Sequence, residues 1–187
     1  MLDAQELANL MTAVKRFNIS DDAEITLEAN PDDINPQKLS DWKRSGVNRL
    51  SVGIQSFEEA ELRWMNRAHN ASQALQCLSD IKTAEISNFS VDLIYGSPLL
   101  SDEQLYKNLE ILISNGVPHI SCYALTVEPK TALEANIRKQ LSPNVSSEKQ
   151  SQHFSLIMDI LRKAGYEHYE ISNFALPGCR SRHNSSY

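Results

Sequence analysis

Four short apolar segments constrain this chain more than anything else in it. Each closes on a carboxylate, an amide or a small residue, and helical sequence separates each from the next. They are Glu24 to Asn30 (E-I-T-L-E-A-N), Val47 to Phe57 (V-N-R-L-S-V-G-I-Q-S-F), Phe89 to Gly96 (F-S-V-D-L-I-Y-G) and His119 to Leu125 (H-I-S-C-Y-A-L). In the second, Leu50, Val52 and Ile54 alternate with Arg49, Ser51 and Gly53, which reads as a buried strand ending at polar Gln55 and Ser56. Crossovers long enough to hold a helix demand parallel strands, since a hairpin cannot join them. Helices then cover the sheet, and ligands gather at the carboxyl ends of the strands, whether the sheet is open or rolled into a barrel. That rule alone selects Glu28, Gln55, Asp92 and Ala124 as site candidates.

The sequence between the strands carries helix signals. Leu7, Leu10, Met11 and Val14 predict an amphipathic helix from about Asp3 to Arg16, an odd start for a chain of alternating strands and helices. Asn35, Pro36 and Gly46 frame the next helix, with Leu39 and Trp42 inward. A short helix follows over Glu58 to Met65. A longer one over Ala71 to Ala84 sits behind an Asn70/Gln73 capping box, with Leu75, Leu78 and Ile81 on one face. Ser101 and Gln104 open a helix carrying Leu105, Leu109, Leu112 and Ile113, closed by Gly116. Ala132 to Leu141 reads as a helix and Ser142 to Ser147 as a polar linker. Phe154, Ile157, Met158 and Leu161 mark a helix ending at Gly165, and Tyr166 to Ile171 a further strand. Ser172 to Tyr187 reads as a loop-like tail without a helix or strand to anchor it.

Bulk properties narrow the function. With 187 residues, 41% of them hydrophobic, the chain can bury one substantial core. A net charge of −6 argues against nonspecific nucleic-acid binding, which depends on clustered Lys and Arg. Cys77, Cys122 and Cys179 lie far apart with no C-x-x-C, so neither a disulfide framework nor a metal site is expected. No apolar run is long enough to span a bilayer, and Met1 is not followed by a basic and then apolar leader, so a cytoplasmic location is expected.

Taken in order, L-E-A-N-P, R-L-S-V-G-I-Q-S-F, N-R-A-H, V-D-L-I-Y-G-S-P, Y-A-L-T-V-E-P, Y-E-I-S-N-F-A and S-R-H-N-S-S-Y resemble radical S-adenosylmethionine (SAM) proteins related to oxygen-independent coproporphyrinogen III oxidase. The last two motifs resemble the heme-chaperone branch of that family. The resemblance implies an α/β fold, a partial (β/α) barrel of parallel strands with outer helices, and SAM at the strand ends. Glu28 would hold the methionyl amino group, Arg67 the methionyl carboxylate, Gln55 and Asp92 the ribose hydroxyls, and Ala124 the adenine through its backbone. His183, followed by Asn184 and Tyr187, would ligate heme. Position alone leaves blander readings. Glu28 could simply end a strand, Gln55 could cap a turn and Arg67 could be a solvated surface residue. Asp92, in an apolar strand, needs a partner, because an unpaired buried charge costs about several kcal/mol.

The family's C-x-x-x-C-x-x-C motif for a four-iron, four-sulfur cluster is absent. The resemblance therefore implies that the cluster ligands and first strands lie upstream of Met1, and that this piece is inactive alone. Residues 1–141 would be partial barrel core and 142–187 the start of an accessory region. The leading reading is a heme chaperone serving client hemoproteins. The alternative is the oxidase, which decarboxylates porphyrinogen propionates through a SAM-derived radical. The two share fold and SAM site. An unrelated barrel aldolase or isomerase would need a Schiff-base lysine or a phosphate-binding glycine loop at a strand end, and neither is visible.

Overall fold

A computed structural model describes residues 3–185. The first helix, α1 (Ala4–Val14), starts from an Asp3/Glu6 capping box and turns Leu7 and Met11 inward. Leu10 is 50% exposed, so the buried stripe is narrower than its spacing predicts. Strand β1 (Thr26–Ala29) follows, then α2 (Pro36–Ser45), capped by Asn35 and stopped by Gly46 at φ 100°, a left-handed conformation that glycine adopts without strain. Next come β2 (Arg49–Gln55), α3 (Glu59–Trp64), α4 (Ala71–Thr83), β3 (Phe89–Tyr95), α5 (Asp102–Ser114) and β4 (His119–Ala124). Both predicted capping boxes form, at Asn70/Gln73 and at Ser101/Gln104. The chain continues through α6 (Ala132–Arg138), α7 (Ser147–Lys163), β5 (Glu167–Glu170) and β6 (Asn173–Ala175).

The strands form one sheet in the order β1-β2-β3-β4-β6-β5. β1 to β4 are parallel, as the crossover lengths require. β6 runs antiparallel to both β4 and β5, with Ser121 opposite Asn173. The mostly parallel sheet with outer helices agrees with the expected fold. One expectation is corrected here: the tail after Ser172 holds a strand. Three residues, Asn-Phe-Ala, are too few for a two-residue period to show in sequence. Residues 142–187 supply α7, which packs on α5 and β3, together with the two antiparallel strands.

Strand alternation separates two chemistries. Leu50, Val52, Ile54, Val91, Leu93, Ile120 and Cys122 share one buried cluster with Leu39, Ile81, Leu109 and Leu161 from the helices. Each such side chain contributes about 1.5–3 kcal/mol by leaving water. The opposite face carries Glu28, Arg49, Ser51, Gly53, Ser90, Asp92, His119, Ser121 and Tyr123. A hydrogen bond of 3.0 Å from Ser90 Oγ to Ser51 Oγ links two of these across neighbouring strands.

Candidate functional site

A cavity of about 480 Å³ lies on this polar face. Glu28, Gln55, Arg67, Asp92 and His183 all line it. Ala124 does not, and its neighbour Tyr123 does. Gln55 ends β2 at φ 68°, where the register with β3 slips, so a bulge rather than a plain strand end turns it toward the site.

The Arg67 position depends on a glycine. Its Nη2 donates to Gly53 O at 3.1 Å and to Asn30 Oδ1 at 2.6 Å. A Cβ at Gly53 would stand 2.8 Å from Gln55 Nε2 and 3.3 Å from Arg67 Nη2, so the ends of both side chains would have to shift to make room for it. The N-R-A-H segment is fastened behind by His69, whose Nε2 lies 2.9 Å from Ile54 O. Burial of that imidazole lowers its pKa, which keeps it a packing group rather than a charge. Asp92 is pushed up to about 6, first by burial and then by Glu28, against the hydrogen bond from Ser121 and the charges of Arg49 and Arg67. Near neutrality it can therefore accept or donate to hydroxyl groups.

Ser56, expected to face a ligand beside Gln55, is instead fully buried on the other side of the strand. Its Oγ donates to Glu61 Oε2 at 2.8 Å and accepts from Asn108 Nδ2 at 3.2 Å, while Asn108 Oδ1 takes Phe57 N at 3.2 Å. Burial raises the Glu61 carboxyl pKa. This network fixes the backbone that leaves Gln55.

The other end of the cavity is built by residues that sequence reasoning passed over. His119 is buried, with Nε2 2.6 Å from Tyr169 Oη, and burial plus the Arg49 charge hold its pKa down at about 3, so the ring is neutral. Ser181 N donates to the same Tyr169 oxygen at 3.3 Å. Glu24 accepts from Ser181 Oγ at 3.4 Å, Arg182 N at 3.2 Å and His183 N at 3.4 Å. Asn184 Nδ2 donates to Asn173 Oδ1 at 2.8 Å. The tail is thus anchored, contrary to expectation, and it delivers His183 and Asn184 to the cavity. Tyr187 lies outside the described residues. In the sequence Arg49 stands out only as alternating with the apolar positions of β2, and contacts spanning more than 150 residues leave no local signal.

Among the described residues no group of three or more His, Cys, Asp or Glu could hold a metal. Cys77 and Cys122 are buried, and burial pushes the Cys77 thiol up to about 12 and Cys122 upward as well. These residues do not fit an iron–sulfur cluster. No helix among the described residues is long and apolar enough to cross a membrane.

Residues 2–112 match the profile of the Radical SAM superfamily. The chain is 36% identical to the heme chaperone HemW of Lactococcus lactis over 188 residues, covering 100% of this chain and 50% of that protein. It is 37% identical to mouse mitochondrial radical S-adenosyl methionine domain-containing protein 1, covering 89% of this chain and 38% of that one. The chain thus spans about half the length, or less, of these relatives. Its fold is similar to the structure of coproporphyrinogen III oxidase (HemN) from Escherichia coli, a radical SAM enzyme, with a TM-score of 0.81 and 25% identity over 95% of this chain and 41% of that one.

Proposed function

The chain belongs to the radical SAM superfamily, and from that premise we propose that it is the SAM-binding part of a cytoplasmic heme chaperone that passes heme to client hemoproteins. One observation carries the SAM assignment. Glu28, Gln55 and Asp92 from three neighbouring strands and Arg67 from the turn after α3 converge on one cavity. Their chemistry fits the ligand. The Glu28 carboxylate accepts from the methionyl ammonium, and the Arg67 guanidinium suits the carboxylate. Asp92 and Gln55 bond the ribose hydroxyls, and the adenine extends past the lining of this cavity, beyond Tyr123, to the backbone of Ala124 at the end of β4. Gly53 leaves room for the Gln55 and Arg67 side chains against the strand. Bound SAM supplies a sulfonium whose carbon–sulfur bond breaks on one-electron reduction. The described residues hold no cluster to deliver that electron, so their part is binding and orientation.

His183 supports the heme assignment, since it lines the same cavity and an imidazole is a common axial ligand. The chaperone reading is preferred to the oxidase because HemW relatives are 32–36% identical across the whole chain, against 25% for HemN. In the full-length protein, Asp92→Asn should weaken SAM binding about 10-fold by calorimetry, the scale of a lost charge-assisted hydrogen bond. His183→Ala should shift the Soret band and weaken heme binding. Undiminished SAM affinity in the first variant, or an unchanged spectrum in the second, would remove the corresponding role.

A further inference from the structure

Two guanidiniums reach the cavity, and they are held very differently. Arg67 is tied by hydrogen bonds to Asn30 and Gly53. Arg49 is 3% exposed, makes no side-chain hydrogen bond among the described residues, and has a buried Nη2 without a partner. An arginine cannot shed its proton to escape burial. Glu24 and Asp92 act on Arg49 only through space. The Glu24 oxygens already accept from Ser181, Arg182 and His183, and Asp92 is bonded to Ser121. A buried, charged fork aimed into a cavity and left without an acceptor is a receptor lacking its anion.

Position and charge narrow the anion. Arg49 and Gly53 are four residues apart on β2, so roughly 13 Å of strand separates Arg49 from the Arg67 end. Hydrogen bonds to Gly53 O and Asn30 Oδ1 hold the Arg67 guanidinium at the Gly53 end, so a methionyl carboxylate bound there leaves Arg49 to a different acceptor. Glu28 and Asp92 line the cavity and the Glu24 charge acts on Arg49 from beside it, a setting that repels a dianionic phosphate and admits a single negative charge. His183 lines the cavity as well, and Glu24 joins its backbone to the surroundings of Arg49.

We propose that Arg49 receives a carboxylate of the bound cargo, a propionate side chain of the heme that His183 ligates. This rests on the heme reading above and adds a second point of attachment, which would fix the orientation of the macrocycle. SAM and the heme carboxylate then occupy opposite ends of one cavity.

The test uses the full-length protein and two ligands, heme and heme dimethyl ester, titrated by Soret absorbance. Wild type should bind the diacid about 10-fold more tightly than the diester, the scale of one charge-assisted bidentate contact. Arg49→Gln should abolish that preference while leaving diester affinity unchanged, and Arg49→Lys should keep part of it. Equal wild-type affinities for the two ligands overturn this inference and leave the heme reading standing. A preference that survives in Arg49→Gln overturns it too. Wild type that binds neither ligand overturns the heme reading and this inference together. Should Arg49→Gln fail to fold, the wild-type comparison and Arg49→Lys still decide.

Discussion

The two faces of the sheet are made by alternate residues of the same strands, yet they obey different rules. On the helix-facing side, Val52, Ile54, Val91 and Ile120 are fully buried among other apolar side chains, and their value lies in volume and fit. On the cavity side, Arg49, Asp92 and His119 are buried or half-buried polar groups whose burial shifts their titration, and two of them, Arg49 and His119, keep nitrogen atoms without partners. One residue of displacement along a strand separates a group that stabilises the chain from one that stays available to a ligand.

The largest effect should come from the apolar side. Ile54→Ala should destabilise the protein by about 2–5 kcal/mol in urea unfolding, whereas Ser51→Ala, on the other face, should cost only about 1 kcal/mol for its lost bond to Ser90. Comparable losses would erase the contrast. Next comes Asp92. Burial holds its carboxyl at about 6 instead of 3.8, so the folded chain keeps a proton that the unfolded chain has released. Stability should fall as pH rises from 3.8 through 6, by on the order of 3 kcal/mol, and Asp92→Asn should remove that fall. A variant whose pH profile parallels wild type would show that Asp92 is not strained.

Gly53→Ala tests whether the cavity face tolerates even one methyl. The intruding Cβ meets Gln55 and Arg67, so SAM affinity should drop about 10-fold with little change in the unfolding midpoint. The smallest effect concerns thiols. Buried Cys77 and Cys122, with raised pKa values, should stay silent toward a thiol reagent in the folded protein, while half-buried Cys179 reacts. Rapid labelling of Cys122 would mean that the helix-facing layer opens readily.

The sequence announced the four parallel strands because each carries its own alternation and is bounded by its own caps, as at Asn70/Gln73 and Ser101/Gln104. Glu28, Gln55 and Asp92 were visible because a parallel sheet directs ligands to strand ends. The lower part of the site was not. β6 is three residues long, Tyr169 meets His119 across 50 positions, and Glu24 meets Arg182 across 158, so no window of sequence holds both partners. Ser56 misled for a related reason. The bulge at Gln55 turns the chain, and the polar residue expected beside the ligand ends in a buried network with Glu61 and Asn108.

The Glu24 clasp also bears on how this molecule comes into being. Its carboxylate sits just before the first strand, and the donors it receives are supplied by Ser181, Arg182 and His183, almost at the far end of the chain. During synthesis the strand with Glu24 leaves the ribosome long before its partners exist, and closing so long a loop is slow compared with forming the local helices. The parallel core can consolidate early, but the floor of the cavity is laid only after Ser181, Arg182 and His183 have emerged. A nascent chain should therefore build its parallel sheet before it completes the cavity.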